Sequence, residues 1–251
     1  SGMGETHIEV AAERMKRKFG VEVDLHAPRV PYRETVTVKV DSEYIHKKQT
    51  GGHGQYARVA IKVEPNRGKG YEFVDAVVGG SVPRNFIPAV EKGVHEALSE
   101  GALAHFPMVD IKVTLYDGKD HAVDSSEMAF KLAGSQALKQ GALKANPVLL
   151  EPVVTMKIRV PEHNTGDVMS DLNGKRAKVH GMSPEDDGTT IIDAEAPLAE
   201  VLRYATDLRS ITQGRGSFEM QFDHYAELPA HMAQKVIAEA QAAHAANSGH
   251  G

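Results

Sequence analysis

Apolar positions at Ile8, Ala11, Ala12, Met15 and Phe19 recur at helical spacing up to Gly20, and Val21-Glu22-Val23-Asp24-Leu25 then alternates as a strand does. One helix and one strand cannot close a core. The unit either packs on the next domain or continues a domain that begins upstream, and its abrupt, structured start favours the second reading. From Tyr32 the chain alternates through Val36, Val38 and Val40, then turns polar as far as Gly54, and alternation resumes at Tyr56, Val59, Ile61 and Val63. This predicts two strands joined by a long exposed connection. Gly79-Gly80 and Pro83 punctuate the chain before Ile87, Val90, Val94 and Leu98 mark one helix face, and a strand is expected over 109–115. A polar loop over 116–121 leads to a helix for which Asp124 is the expected cap, with Glu127 reaching back, and Met128, Leu132, Ala133 and Ala137 as the buried face. Asn146-Pro147 and Glu151-Pro152 mark a boundary, since proline cannot continue a helix.

Beyond that boundary the order is strand (154–160), helix (167–178), strand (179–183), strand (189–194), helix (198–212) and strand (217–222), a split β-α-β pattern. Val201, Leu202, Ala205 and Leu208 form the expected inner face of its second helix. Met232, Val236, Ile237 and Ala240 predict a terminal helix that frays from Ala242 onward.

Composition narrows the class. At 251 residues and 41% hydrophobic content the chain can bury one large core or two modest ones, which excludes fibrous and wholly disordered chains. A net charge of -5 argues against a uniformly basic nucleic-acid coat, yet residues 44–69 hold Lys47, Lys48, Arg58, Lys62, Arg67 and Lys69 against the single acid Glu64, a local +5. The absence of cysteine removes disulfides, thiolate zinc sites and thiol nucleophiles, and fits a reducing cytosol. No apolar run nears the roughly 18 residues of a membrane span, and the start lacks the basic and apolar segments of a signal peptide.

Gly51-Gly52-His53-Gly54-Gln55 can form a phosphate nest or a plain hairpin connection; no Walker or dinucleotide fingerprint accompanies it. In the basic segment around it, His53 and Gln55 are free to touch bases or sugar hydroxyls if that segment meets RNA. His121, Asp124 and Ser125 have the residue types of a hydrolytic triad, but they crowd one loop-to-helix junction, so capping is the simpler account of the last two. His121 itself sits on a polar turn that can project toward a phosphate or base edge. The 13 histidines are scattered with no metal-ligand spacing, and Glu185-Asp186-Asp187 before Gly188 reads as a solvated turn. Lys175, Arg176 and Lys178 with Arg203, Arg209 and Arg215 offer a second phosphate-facing surface, against which Arg209 can instead pair with Asp207 or a helix end.

Four phrases in order, Gly2-Met3-Gly4-Glu5-Thr6-His7, Lys48-Gln49-Thr50-Gly51-Gly52-His53-Gly54-Gln55-Tyr56, Asp124-Ser125-Ser126-Glu127-Met128-Ala129-Phe130 and Tyr204-Ala205-Thr206-Asp207-Leu208-Arg209-Ser210 through Gly216, resemble bacterial translation elongation factor G over essentially the whole folded chain. The resemblance implies an α/β (α+β), elongated multidomain carboxy-terminal fragment. Residues 1–26 would be the second half of the family's third domain. Residues 27–150 would be its fourth, ribosomal-protein-S5-like with a left-handed crossover, against the usual handedness. Residues 151–251 would hold a ferredoxin-like fifth domain with a terminal helix and tail.

It further implies that Gly51, Gly52, His53, Gly54 and Gln55 together with Asp117, Gly118, Lys119, Asp120 and His121 form a ribosome-facing tip, with Lys47, Lys48, Arg58, Arg209 and Arg215 as phosphate contacts. The implied partners are the ribosome, its decoding-region RNA, the tRNA–mRNA complex and the large-subunit factor-binding RNA. The protein would be cytoplasmic, monomeric away from the ribosome and without a membrane partner. This stretch would be no enzyme and need no cofactor, GTP and Mg belonging to the GTPase domain. Lys119-Asp120 replaces a small-aromatic pair common before the tip histidine, and His163-Asn164-Thr165 stands where Glu-Tyr-Met is common. These departures keep a second expectation open, a diverged structural or regulatory paralogue, or one that acts in recycling, without translocase activity.

Overall fold

The structure is a computed structural model that describes residues 5–20, 29–49 and 54–248, with side chains from residue 10. Helix α1 (Glu5–Phe19) ends where Gly20 turns to φ 66° and donates its amide to the Lys16 carbonyl at 3.0 Å, with Lys16, Arg17 and Lys18 opposing the negative end of the dipole. The strand expected over 21–25 lies outside the described residues. The chain divides into two compact units, Tyr32–Leu150 with Glu227–Gly251, and Ser1–Pro31 with Glu151–Ala226.

In the first unit, β1 (Arg33–Thr35) precedes β2 (Val40–Lys48), β3 (Gln55–Pro65), β4 (Glu72–Asp75), α2 (Ile87–Glu100), β5 (Ile111–Lys119) and α3 (Glu127–Lys144). The four-stranded sheet has the order β2-β3-β5-β4, antiparallel except for the parallel pair β4–β5. Its inner face sends Ile61, Val63, Ile111 and Leu115 against Phe130 and Leu138 of α3 and Val94 of α2. The two helices approach so closely that a Cβ on Gly93 would lie 2.8 Å from the Lys131 carbonyl carbon, and nearer still to its oxygen. Gly93→Ala is therefore expected to force the helices apart and cost about 2 kcal/mol, read as a lowered Tm; an unchanged Tm would show that the contact yields freely.

β1 pairs with the first three residues of β6 (Val148–Pro161). Glu34 of β1, 1% exposed, turns its carboxylate into the segment after α2, where Oε2 accepts the amides of Ala102 (2.9 Å) and Leu103 (2.8 Å) and Oε1 those of Ala104 (2.7 Å) and Phe106 (3.0 Å).

The second unit continues β6 through α4 (Thr165–Gly174), β7 (Lys178–Pro184), β8 (Thr189–Pro197), α5 (Tyr204–Thr212) and β9 (Ser217–Glu227), with strand order β9-β6-β8-β7. One face of β6, with Val154, Met156, Ile158 and Val160, packs on Leu172 of α4 and on Tyr204 and Leu208 of α5, while Thr155, Lys157 and Arg159 are exposed on the other. Helix α6 (Ala230–Ser248) lays Met232, Val236, Ile237 and Ala240 on Ala104, Leu149 and Phe106 of the first unit.

Several expectations change. The polar run before Gly51 is strand β2, because an edge strand with one solvated face needs few apolar residues; Val38, expected in a strand, instead donates its amide to Ala145 at the end of α3. β4 was not foreseen. Ser126, not Asp124, caps α3, its hydroxyl accepting from the Ala129 amide at 3.1 Å. Met128 and Leu132 are exposed, and Phe130, Gly134 and Leu138 join Ala133 and Ala137 inside, since the helix faces both α2 and the sheet. In α5 the buried partners of Leu208 are Tyr204 and Thr212, while Leu202 and Ala205 are exposed. The chain passes through Glu151-Pro152 without leaving strand β6, and the terminal helix runs to Ser248 instead of fraying at Ala242.

Candidate nucleic-acid interface

The β2–β3 hairpin closes on the pair Lys48–Gln55, and β5 runs antiparallel to β3 so that its last residue, Lys119, pairs with Arg58. The connection over 49–54 and the turn over 120–126 therefore leave the sheet at the same end. The sequence places them 65 or more positions apart, and hydrogen bonds tie the turn to Tyr56, in β3 just past the connection. Ser125 Oγ donates to the Tyr56 carbonyl at 2.7 Å and accepts the His121 amide at 2.8 Å, while the Tyr56 amide donates to the Asp124 carbonyl at 2.9 Å. Gly54 lies so near the Asp124 side chain that a Cβ would stand 2.9 Å from Cγ, and the Tyr56 and His121 rings meet edge to face at 6.3 Å.

Gly51, Gly52 and His53 lie outside the described residues. Gln55 is not free as expected, because its Oε1 meets His46 Nε2 at 2.7 Å. Asp120 and His121 are exposed on the turn, the His121 side chain at 55%. His121 Nδ1 faces its own loop, 3.4 Å from the Val123 amide, 3.3 Å from the Asp124 amide and 3.4 Å from Asp124 Oδ2. That arrangement leaves Nε2 as the edge for an outside partner. Ser125 is committed to backbone groups, so the three residues form a strut and not a hydrolytic triad. These pins are the residues that sequence reasoning missed; the only local signal was the short polar Asp124-Ser125 pair next to a helix start.

Asp117, Gly118 and Lys119 correct the expected loop: all three belong to β5, where Gly118 is buried. Asp117 Oδ2 accepts from Arg58 Nη1 at 2.9 Å, and Arg58 Nη2 reaches Glu43 Oε2 at 2.6 Å. Arg58 thus braces three strands. Its pKa is raised, chiefly by Glu43. Glu43 is lowered by Arg58, and Asp117 by the Gly118 amide first, then Ser81 and Arg58. Carboxylates lowered in the folded state stabilise it above their unfolded pKa, and that contribution fades as pH falls through the folded value. Carboxyl NMR titration should find Glu43 and Asp117 both protonating below the ordinary range of about 4. Ordinary midpoints would show the brace to be open in solution. Lys47, Lys48 and Lys119 are exposed and make no ion pair among the described residues, which leaves them as the cations of this end.

In the second unit Arg215 Nη2 meets His163 Nε2 at 3.1 Å, and Arg209 is exposed with no ion pair among the described residues. Asp207, an expected partner of Arg209, instead takes Lys175 Nζ at 3.1 Å, and Lys175 also reaches Asp171 at 3.0 Å. Arg176 holds Glu151 with two bonds of 2.8 Å and Glu200 at 3.0 Å. The basic surface expected from residues 175–178 is thereby largely neutralised. Among the described residues no group of three or more His, Cys, Asp or Glu is placed to hold a metal ion.

Comparison with known families and structures finds matches along nearly the whole chain. Residues 28–146 match the family model described as elongation factor G, domain IV; residues 148–236 match elongation factor G C-terminus; residues 1–27 match Elongation Factor G, domain III. A crystal structure of a protein from Thermus thermophilus is similar at 42% identity and a TM-score of 0.84, covering 96% of this chain. The chain spans 36% of that protein's length.

Proposed function

The chain belongs to the elongation factor G family, in its non-catalytic carboxy-terminal region and not its GTPase, and on that premise we propose that it is a ribosome-binding effector region that assists tRNA–mRNA translocation by entering the decoding region. The observation that carries this reading is the bond from Ser125 to Tyr56, which fixes the His121 turn to the start of β3, at the end of the sheet where the β2–β3 connection also leaves. In this reading Gly51 to Gln55, with Lys119, Asp120 and His121, are the residues that meet RNA, and Lys47, Lys48 and Lys119 offset phosphate repulsion without reading a base sequence. Arg209 and Arg215 are the phosphate contacts of the second unit, toward large-subunit RNA.

The two units take finer fold names in this reading. The order β9-β6-β8-β7 around two helices supports a ferredoxin-like second unit. The parallel β4–α2–β5 connection in the first is the one that would carry the left-handed crossover. Energy from hydrolysis, with its GTP and Mg, belongs to the GTPase domain of a full-length factor and reaches this region as a change of conformation. A cytoplasmic, ribosome-free monomer fits the same reading, and no helix among the described residues is long and apolar enough to cross a membrane.

The test joins this chain to the front domains of a full-length relative. His121→Ala should slow single-round tRNA movement about tenfold, one good contact's worth, while leaving GTP binding unchanged. Equal losses in both would refute the effector role. Lys119-Asp120, exposed beside His121, favours a second reading as a recycling paralogue, for which the same hybrid would split ribosomal subunits yet fail to move tRNA.

A further inference from the structure

β4 runs parallel to β5, so the chain leaving Asp75 heads toward the same end of the sheet as Lys119. The Ala76 amide donates to the Leu115 carbonyl at 2.8 Å, and the Val77 amide to Asp75 Oδ1 at 3.0 Å. Further along, Val82 is 1% exposed and packed against Gly118, where any Cβ would collide with it. The Ser81 hydroxyl is buried beside Asp117, whose pKa it helps to lower. Residues 77–81 are thus a short loop with both feet fixed to β5, the strand that leads to His121. Between the feet, Val78 is 82% exposed, more than any other large apolar side chain described, and Gly79 and Gly80 follow at φ 68° and 72° with nothing within 4 Å of where a Cβ would be.

We propose that Val77–Ser81 is a third RNA-contacting loop of this end, with Val78 seated on a ribose or base edge in the shallow minor groove of a folded RNA and the paired glycines letting the backbone come close. The inference rests on the effector reading above and deepens it. Covering the exposed Val78 with a partner would remove its apolar surface from water, which is favourable. The glycine conformation is one that side-chain-bearing residues adopt at a cost, and it strips the loop of side-chain bulk where a surface would approach. One valine is far too small a patch to hold a protein partner. The neighbouring cations Lys119 and Arg84, both exposed, complement phosphate. A-form RNA offers a wide groove read by shape and by 2′-hydroxyls, which suits an apolar knuckle with bare amides.

The hybrid factor described above provides the test, through equilibrium binding to ribosomes across a salt series. Val78→Ala should weaken binding about fivefold at every salt concentration with the salt slope unchanged, and Val78→Asp by more than about tenfold, since the contact is apolar. Lys119→Ala should instead flatten the slope by about 1. A photo-crosslinker at position 78 should label ribosomal RNA. If Val78→Asp binds like the parent, or the crosslink falls on a ribosomal protein, while His121→Ala and Lys119→Ala remain impaired, this inference alone is overturned. If none of the three positions affects binding, the effector reading falls with it.

Discussion

Glu34→Gln should destabilise the first unit by about 4 kcal/mol, the largest loss expected from any single conservative change in the molecule. The wild-type carboxylate accepts four backbone amides within 3.0 Å at a site 1% exposed to water. A carboxamide keeps one acceptor oxygen and points an NH2 group at the other two amides, leaving buried donors facing a donor. The Glu34 carboxylate is shielded from solvent, so added salt should barely change the loss. The damage spreads along a definite route. Leu103 offers its carbonyl to Gln241 of α6 at 2.8 Å, and the His105 ring stacks on His244 at 3.6 Å, so the segment organised by Glu34 is also the seat of the terminal helix. Amide exchange should accelerate at residues 102, 103, 104 and 106 and then along α6. Native protection at those amides in the variant would show that the carboxylate is incidental to the seat.

Arg176→Met should cost the second unit about 3 kcal/mol, because it leaves the Glu151 side chain, 4% exposed, as a buried carboxylate without its bidentate partner. The arginine is itself 29% exposed, so solvent screens part of the pair and the loss stays below that of a fully enclosed one. A double variant, Glu151→Leu with Arg176→Met, should recover most of the stability, since the cost lies in the orphaned charge and not in the missing bridge. A second arm isolates the backbone. Arg176 has φ 55°, a conformation that costs a side-chain-bearing residue roughly 1 kcal/mol, so Arg176→Gly should be less damaging than Arg176→Met by about that amount. Urea unfolding of the three variants reads these differences directly, and a double variant no better than Arg176→Met would refute the account.

How far the sequence could be read shows in particular residues. Helix α2 was legible because Val90, Val94 and Leu98 recur at helical spacing on its buried face. Helix α3 was half legible: Ala133 and Ala137 were placed inside correctly, but Met128 and Leu132 share their spacing and lie outside, since the stripe that is buried depends on where α2 and the sheet sit. Strand β2 escaped notice because an edge strand with a solvated face carries charges at half its positions. At the candidate interface, residue types and the two loops were visible, but not the state of each group. Gln55 and Arg58 looked available and are engaged, with partners 9, 15 and 59 positions away, whereas Gly79-Gly80 looked like punctuation and crowns a loop.

Local pattern by itself determined the helices, most of the strands, the break between the two units near residue 150 and the polar turn that bears His121, because each depends on periodicity or turn chemistry within about a dozen neighbours. Tertiary structure alone decided that the His121 turn is fixed to Tyr56 through Ser125, that a further loop arrives beside it, that α6 belongs with the first unit, and which of the basic groups remain unpaired. The physical reason is the same in each case. Hydrogen bonds and ion pairs saturate, so whether a donor is available depends on which acceptor the folded chain brings to it, and here that acceptor stands from 9 to 59 residues away.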